Sequence, residues 1–156
     1  MTRRRELLLL PAGLLLARCA PPPKPPAVLT LTMIGSADQN ADPGGKPAPV
    51  AVKVYQLSAT AKFESSDWTA LTEHEQQTLG QDEAAPAQQF VVGPGETQTK
   101  TFELKNGVQN IGIVALYRDI DHAQWRAVAP AADSGPTKLT LTIGKLAVTL
   151  KPAPKA

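Results

Sequence analysis

Cys19 is the one cysteine in the chain, and its setting gives it a definite chemistry. A single thiol in an exported protein has no intramolecular disulfide partner, so it is free, bridged to another chain or modified. Ahead of it stand Arg3, Arg4 and Arg5, then a mostly apolar run from Leu7 to Ala17 broken only by Pro11 and Gly13, then Arg18. A basic start followed by roughly 7–15 apolar residues describes a secretory signal, whereas a spanning helix needs about 20. No strand or helix pattern surrounds the thiol to bury it, so its place directly behind the apolar run points to modification.

The other residues with chemistry to offer are Asp119, Asp121 and His122, two carboxylates and an imidazole in one short run. They could serve a metal-dependent hydrolase, but a metal site needs converging ligands and no second cluster completes this one, so a polar turn is the better reading. His74, the other histidine, sits among Glu and Gln in an expected helix and reads as a solvated side chain. There is no Gly-x-Ser-x-Gly elbow, phosphate loop or paired-cysteine motif. The sequence therefore predicts neither enzyme activity nor a metal, and no cofactor beyond a covalent lipid on Cys19. Most of the basic excess lies in the signal segment, where Arg3, Arg4, Arg5 and Arg18 oppose only Glu6. Without it the chain is within one charge of neutral, so no nucleic-acid partner is expected.

The elements that would hold a site are strands. Residues 1–18 form the signal, and 19–27 a tether whose Pro-rich stretch Ala20 to Pro26 favours polyproline II at about 3.1 Å per residue. Residues 28–151 form one domain and 152–156 a tail. Leu29, Leu31 and Met33 alternate with Thr30 and Thr32, and Val50, Val52 and Val54 alternate with Ala51, Lys53 and Tyr55, the period of half-buried strands. Further strands are predicted at Gln88–Val92, Thr97–Leu104, Gln109–Tyr117 and Gln124–Val128, with Ile111 to Leu116 apolar enough to be central. A C-terminal hairpin is expected around Gly144-Lys145, pairing Ile143 with Leu146. Ser65 or Ser66 should cap a small helical insertion between Phe63 and Leu79, which Gly80 ends. Trp68 and Trp125 read as core more than as interface anchors. About eight short strands without βαβ alternation describe an all-β, two-sheet sandwich.

Between the first two strands lies Gly35 to Pro49, rich in Asn, Asp, Pro and Gly. An unstructured connection of about 12–15 residues is uncommon and is usually functional or disordered, and this composition favours turns. Its candidate contact residues are Ser36, Ala37, Asp38, Gln39, Asn40, Asp42, Pro43, Gly44, Gly45, Lys46 and Pro47.

Leu16-Ala17-Arg18-Cys19 resembles the bacterial lipobox, except that Gly, Ala or Ser normally precedes the cysteine where Arg18 stands. With Asn40, Gly45, Pro49, Val54-Tyr55-Gln56-Leu57, Phe63, Asp67-Trp68, Pro94-Gly95-Glu96 and Gly112-Ile113-Val114-Ala115, the chain from about Leu29 to Leu150 resembles the TssJ family of type VI secretion lipoproteins. The resemblance implies a transthyretin-like sandwich, anchored by lipid on the periplasmic side of the outer membrane. It also implies that the first loop contacts the periplasmic C-terminal domain of TssM, in a membrane complex with TssL, and that no small-molecule substrate is involved. The competing readings are a transthyretin-like module binding a small ligand and, behind it, the hydrolase built on Asp119, Asp121 and His122.

Overall fold

The computed structural model describes residues 20–154, so the signal segment, Cys19 and the last two residues lie outside the described residues. In chain order the elements are β1 (Ala27–Gly35), β2 (Val50–Leu57), α1 (Ala61–Ser65), α2 (Trp68–Glu73), α3 (Glu75–Leu79), β3 (Glu83–Val92), β4 (Thr97–Glu103), β5 (Asn110–Leu116), β6 (Arg126–Pro130), β7 (Gly135–Ile143) and β8 (Val148–Pro152). The strands form two four-stranded sheets, β4-β1-β7-β8 and β3-β2-β5-β6, the expected sandwich. All pairs within them are antiparallel except β1 with β7.

Alternation decides which side chains meet between the sheets. Leu29, Leu31 and Met33 of β1 and Leu139, Leu141 and Ile143 of β7 face Val50, Val52 and Val54 of β2 and Ile111, Ile113 and Ala115 of β5, all buried. The opposite face of β1 carries Thr30 and Thr32, whose hydroxyls meet those of Thr101 and Thr99 on β4. β4 is an edge, and the register of Lys100 with Leu31 turns its side chain toward the core side, where the ammonium lies 5.6 Å from the centre of the Phe90 ring. A charge pointing inward at a sheet edge discourages another strand from adding there.

The continuous apolar run of β5 has its reason in a second core. Val114 points away from the sandwich and packs with Tyr55 and Leu57 of β2 under Phe63, Leu71 and Leu79 of the helical insertion. Both faces of β5 are covered, so both parities are apolar. Gly112 lies directly beneath Phe63, and a Cβ there would stand 2.8 Å from the ring. Polar ties also hold the insertion on the sheet. Tyr55 OH donates to Leu71 O at 2.8 Å, Arg126 Nη1 donates to Phe63 O and Ser66 O at 2.8 Å each, and Lys53 pairs with Glu75.

Three local expectations are corrected. Asp67, not Ser65 or Ser66, caps α2, its carboxylate accepting from Ala70 N, while Ser66 Oγ bonds back to Lys62 O and closes α1. In the C-terminal hairpin Ile143 pairs with Val148, not Leu146. The turn is longer because Leu146 O is taken by Gln124 N and Gly144 N closes onto Ala147 O. The shift is two residues, so the apolar face survives. β3 also begins earlier than expected, at Glu83. Register shifts against Gln56 and Leu57 and its place at the sheet edge let it carry Pro86.

Glu83 and Glu75 meet under the insertion. Burial first, then hydrogen bonding with Glu75 and its charge, pushes the Glu83 carboxyl up to about 8. Glu83 Oε1 is buried without a hydrogen-bond partner, a poor place for full negative charge. Burial also acts on Glu75, but hydrogen bonds with Glu83, Lys53 and Ala87 N hold it below the ordinary carboxylate value. A carboxyl raised in the folded state binds its proton more tightly there, so stability should decline as pH rises from the ordinary carboxylate range through about 8. Glu75 acts oppositely, its contribution being lost as pH falls below that range. Urea unfolding between roughly pH 5 and 9 should show the alkaline decline. Glu83→Gln should flatten it, and an unchanged slope would remove Glu83 as its source.

Candidate functional site

The β1–β2, β3–β4, β5–β6 and β7–β8 connections gather at one end of the sandwich. Gly35 N donates to Glu96 O at 2.8 Å, Ser36 N to Ile143 O at 2.9 Å, and Asn40 N to Lys145 O at 3.1 Å, joining the first loop to two others. The tether enters at the opposite end, where Pro26 O accepts from Gly135 N and Ala27 O from Leu104 N. β1, nine residues long, separates the ends by roughly 30 Å at about 3.4 Å per residue.

The first loop is built, not slack. Gln39 N closes a turn onto Ser36 O, and Ser36 Oγ donates to Asp38 Oδ1 at 2.7 Å. A second turn forms where Asp42 N donates to Lys46 O, Gly45 N donates to Asp42 O, and Asp42 Oδ1 accepts from Lys46 N. Gly45 has a φ of 84°, in the left-handed region that glycine occupies without strain.

Of the expected contact residues, Gln39 and Asn40 are buried, at 0% and 3% exposure, and spend their side chains inside. Gln39 Nε2 donates to Ala48 O and Val92 O. Asn40 Nδ2 donates to Pro49 O at 3.0 Å, and its Oδ1 accepts from Arg118 N at 2.8 Å. Where a chain leaves a sheet, its backbone groups lose their ladder partners, and buried amide side chains replace them. Ala37, Asp38, Pro43, Gly44, Gly45, Lys46 and Pro47 are exposed, and Ser36 and Asp42 partly so.

Beside this loop is a cleft of about 550 Å3, lined by Ala41, Asp42, Pro43 and Gly45 of the first loop, Arg118 and Asp119 of the β5–β6 loop, and Lys145 and Leu146 of the β7–β8 turn. Sequence reasoning missed Arg118, Lys145 and Leu146. They are ordinary turn residues far from the first loop in the chain, and only the sheet order brings them there.

Asp119 Oδ1 lies 2.7 Å from His122 Nδ1 on the surface, and that hydrogen bond, followed by the charge of Asp119, raises the imidazole above its ordinary value. Among the described residues no three His, Cys, Asp or Glu side chains converge as metal ligands would, and no helix is long and apolar enough to cross a membrane.

A family model described as "Type VI secretion lipoprotein, VasD, EvfM, TssJ" matches residues 27–146. The chain belongs to the type VI secretion lipoprotein family. Its similarity to the T6SS lipoprotein TssJ1 from Pseudomonas aeruginosa is 30% identity with a TM-score of 0.80, covering 85% of this chain and 100% of that one. A chain of a type VI membrane complex aligns at 25% identity and a TM-score of 0.71, covering 81% and 98%. Serratia marcescens Lip, a membrane-bound component of the type VI secretion system, shares the fold at 23% identity and a TM-score of 0.73, covering 84% and 99%. No curated protein matches the chain. The matched residues run from β1 through β7 and include the helical insertion.

Proposed function

We propose that this chain is a lipid-anchored structural component of the type VI secretion membrane complex. Acyl chains on Cys19 hold it at the outer membrane, facing the periplasm, and the exposed part of its first loop docks the periplasmic C-terminal domain of TssM, in a complex that includes TssL. The observation that carries this reading is the polarity of the sandwich. The tether joins one end, and the built loop stands at the other, roughly 30 Å away by strand length. An anchor and a docking site so arranged bridge a membrane surface and a partner reaching toward it. Turns tied by Asp42 and Asn40 limit the ordering entropy lost on docking.

Photo-crosslinking in cells tests this reading. A crosslinker at Gly44 should capture the TssM-type partner, while one at Gln76, on the exposed side of the helical insertion, should not. Capture from Gln76 alone would place docking on the wrong end.

A further inference from the structure

The cleft beside the first loop is lined by two cations, Arg118 and Lys145, and among the described residues neither forms an ion pair within 4.0 Å. Asp42 and Asp119 line the cleft as well and keep their charge, each with one oxygen held by another group. Asp42 Oδ1 accepts from Lys46 N in its own turn, and Asp119 Oδ1 holds His122. The backbone that presents both cations is fixed by one buried residue, since Asn40 Oδ1 accepts from Arg118 N and Asn40 N donates to Lys145 O. Ala41, Pro43 and Leu146 supply apolar wall around them.

We propose that this cleft receives an acidic side chain, Asp or Glu, presented on a protruding segment of the partner protein, with Arg118 and Lys145 closing on its carboxylate. The proposal rests on the docking reading above and names the chemistry of that contact. A guanidinium offers a planar pair of donors matched to a carboxylate, and an ammonium adds a second charge without demanding one geometry. The apolar wall would take the aliphatic part of the same segment and shield the pair from water, where charge-assisted bonds strengthen. An anionic lipid headgroup is disfavoured as occupant because the cleft opens at the end of the sandwich away from the tether.

The test measures binding of the full-length chain, in detergent, to the periplasmic domain of the TssM-type partner. Four chains are compared: the natural one, Arg118→Gln/Lys145→Gln, Arg118→Glu/Lys145→Glu, and one shortened between Asp42 and Lys46, which keeps the buried Gln39 and Asn40. The neutral pair should bind at least tenfold more weakly, and its affinity should depend less steeply on salt. The charge-reversed pair should bind more weakly still, and Asp→Lys or Glu→Lys changes in the partner's protruding segments should restore it at one position. Unfolding curves of both pairs should match the natural chain, since neither side chain is buried. If both pairs bind as the natural chain does while the shortened chain fails, the cleft proposal is overturned and the loop reading stands. If the shortened chain also binds normally, the loop reading itself falls. Saturable binding of succinate by the natural chain, lost in the neutral pair and without effect on partner binding, would assign the cleft to a free carboxylate instead.

Discussion

Asn40→Ala should destabilise the domain by about 1–3 kcal/mol, because it strips hydrogen bonds from two part-buried backbone groups at once. Arg118 N and Pro49 O each lose their partner and are left to partial solvation. The residue also sits at a φ of 48°, where asparagine is tolerated and alanine is not. Asn40→Gly separates the two causes. It relieves the backbone strain but still removes both side-chain bonds, so it should recover only part of the loss. Because Asn40 ties the first loop to Arg118 and Lys145, both substitutions should also increase hydrogen exchange at Arg118 N. Protection there equal to the natural chain would show that the amide is held by something else.

Phe63→Ala should be costlier, at about 3–5 kcal/mol, the usual range for emptying a fully buried aromatic site. The ring lies over Gly112, tilts against Tyr55 with centroids 5.2 Å apart, and has 0% exposure. With Leu71 and Leu79 it joins the insertion to Val114 of β5. Loss of the ring should also loosen the insertion first, exposing Tyr55 and its bond to Leu71 O. Urea unfolding followed by tryptophan fluorescence measures the loss, since Trp68 and Trp125 lie at the insertion and at the adjoining strand. A loss under 1 kcal/mol would mean that the second core collapses around the gap, contrary to the packing described.

How far the sequence could be read depended on the range of the forces involved. β1 and β2 were legible because alternation is local, and so was the centrality of β5, whose apolar residues run on both parities. Gly80 was legible as a helix stop, and its φ of 55° agrees. The cap of α2 and the hairpin register were misplaced by short distances. The Ser66 hydroxyl was taken one turn back by Lys62 O, while Leu146 O was taken by Gln124 N, which lies elsewhere in the fold.

The candidate site divided in the same way. That Gly35 to Pro49 is a built loop followed from its Asn, Asp, Pro and Gly residues. Which of its polar side chains face outward did not follow, because Gln39 and Asn40 look like Asp38 and Lys46 until their long-range partners Val92 and Arg118 are known. The cationic wall of the cleft was invisible for a related reason. Arg118 and Lys145 meet only because β1 runs parallel to β7 and both sheets deliver their turns to the same end.

Docking of the TssM-type partner at the loop end of this lipoprotein is tested most directly by the affinity of a chain shortened between Asp42 and Lys46, which leaves the buried Gln39 and Asn40 in place. Measured against the partner's periplasmic domain, with the unfolding curve confirming an intact sandwich, the shortened chain should lose binding by at least a hundredfold. Undiminished affinity in a folded, shortened chain would contradict the account.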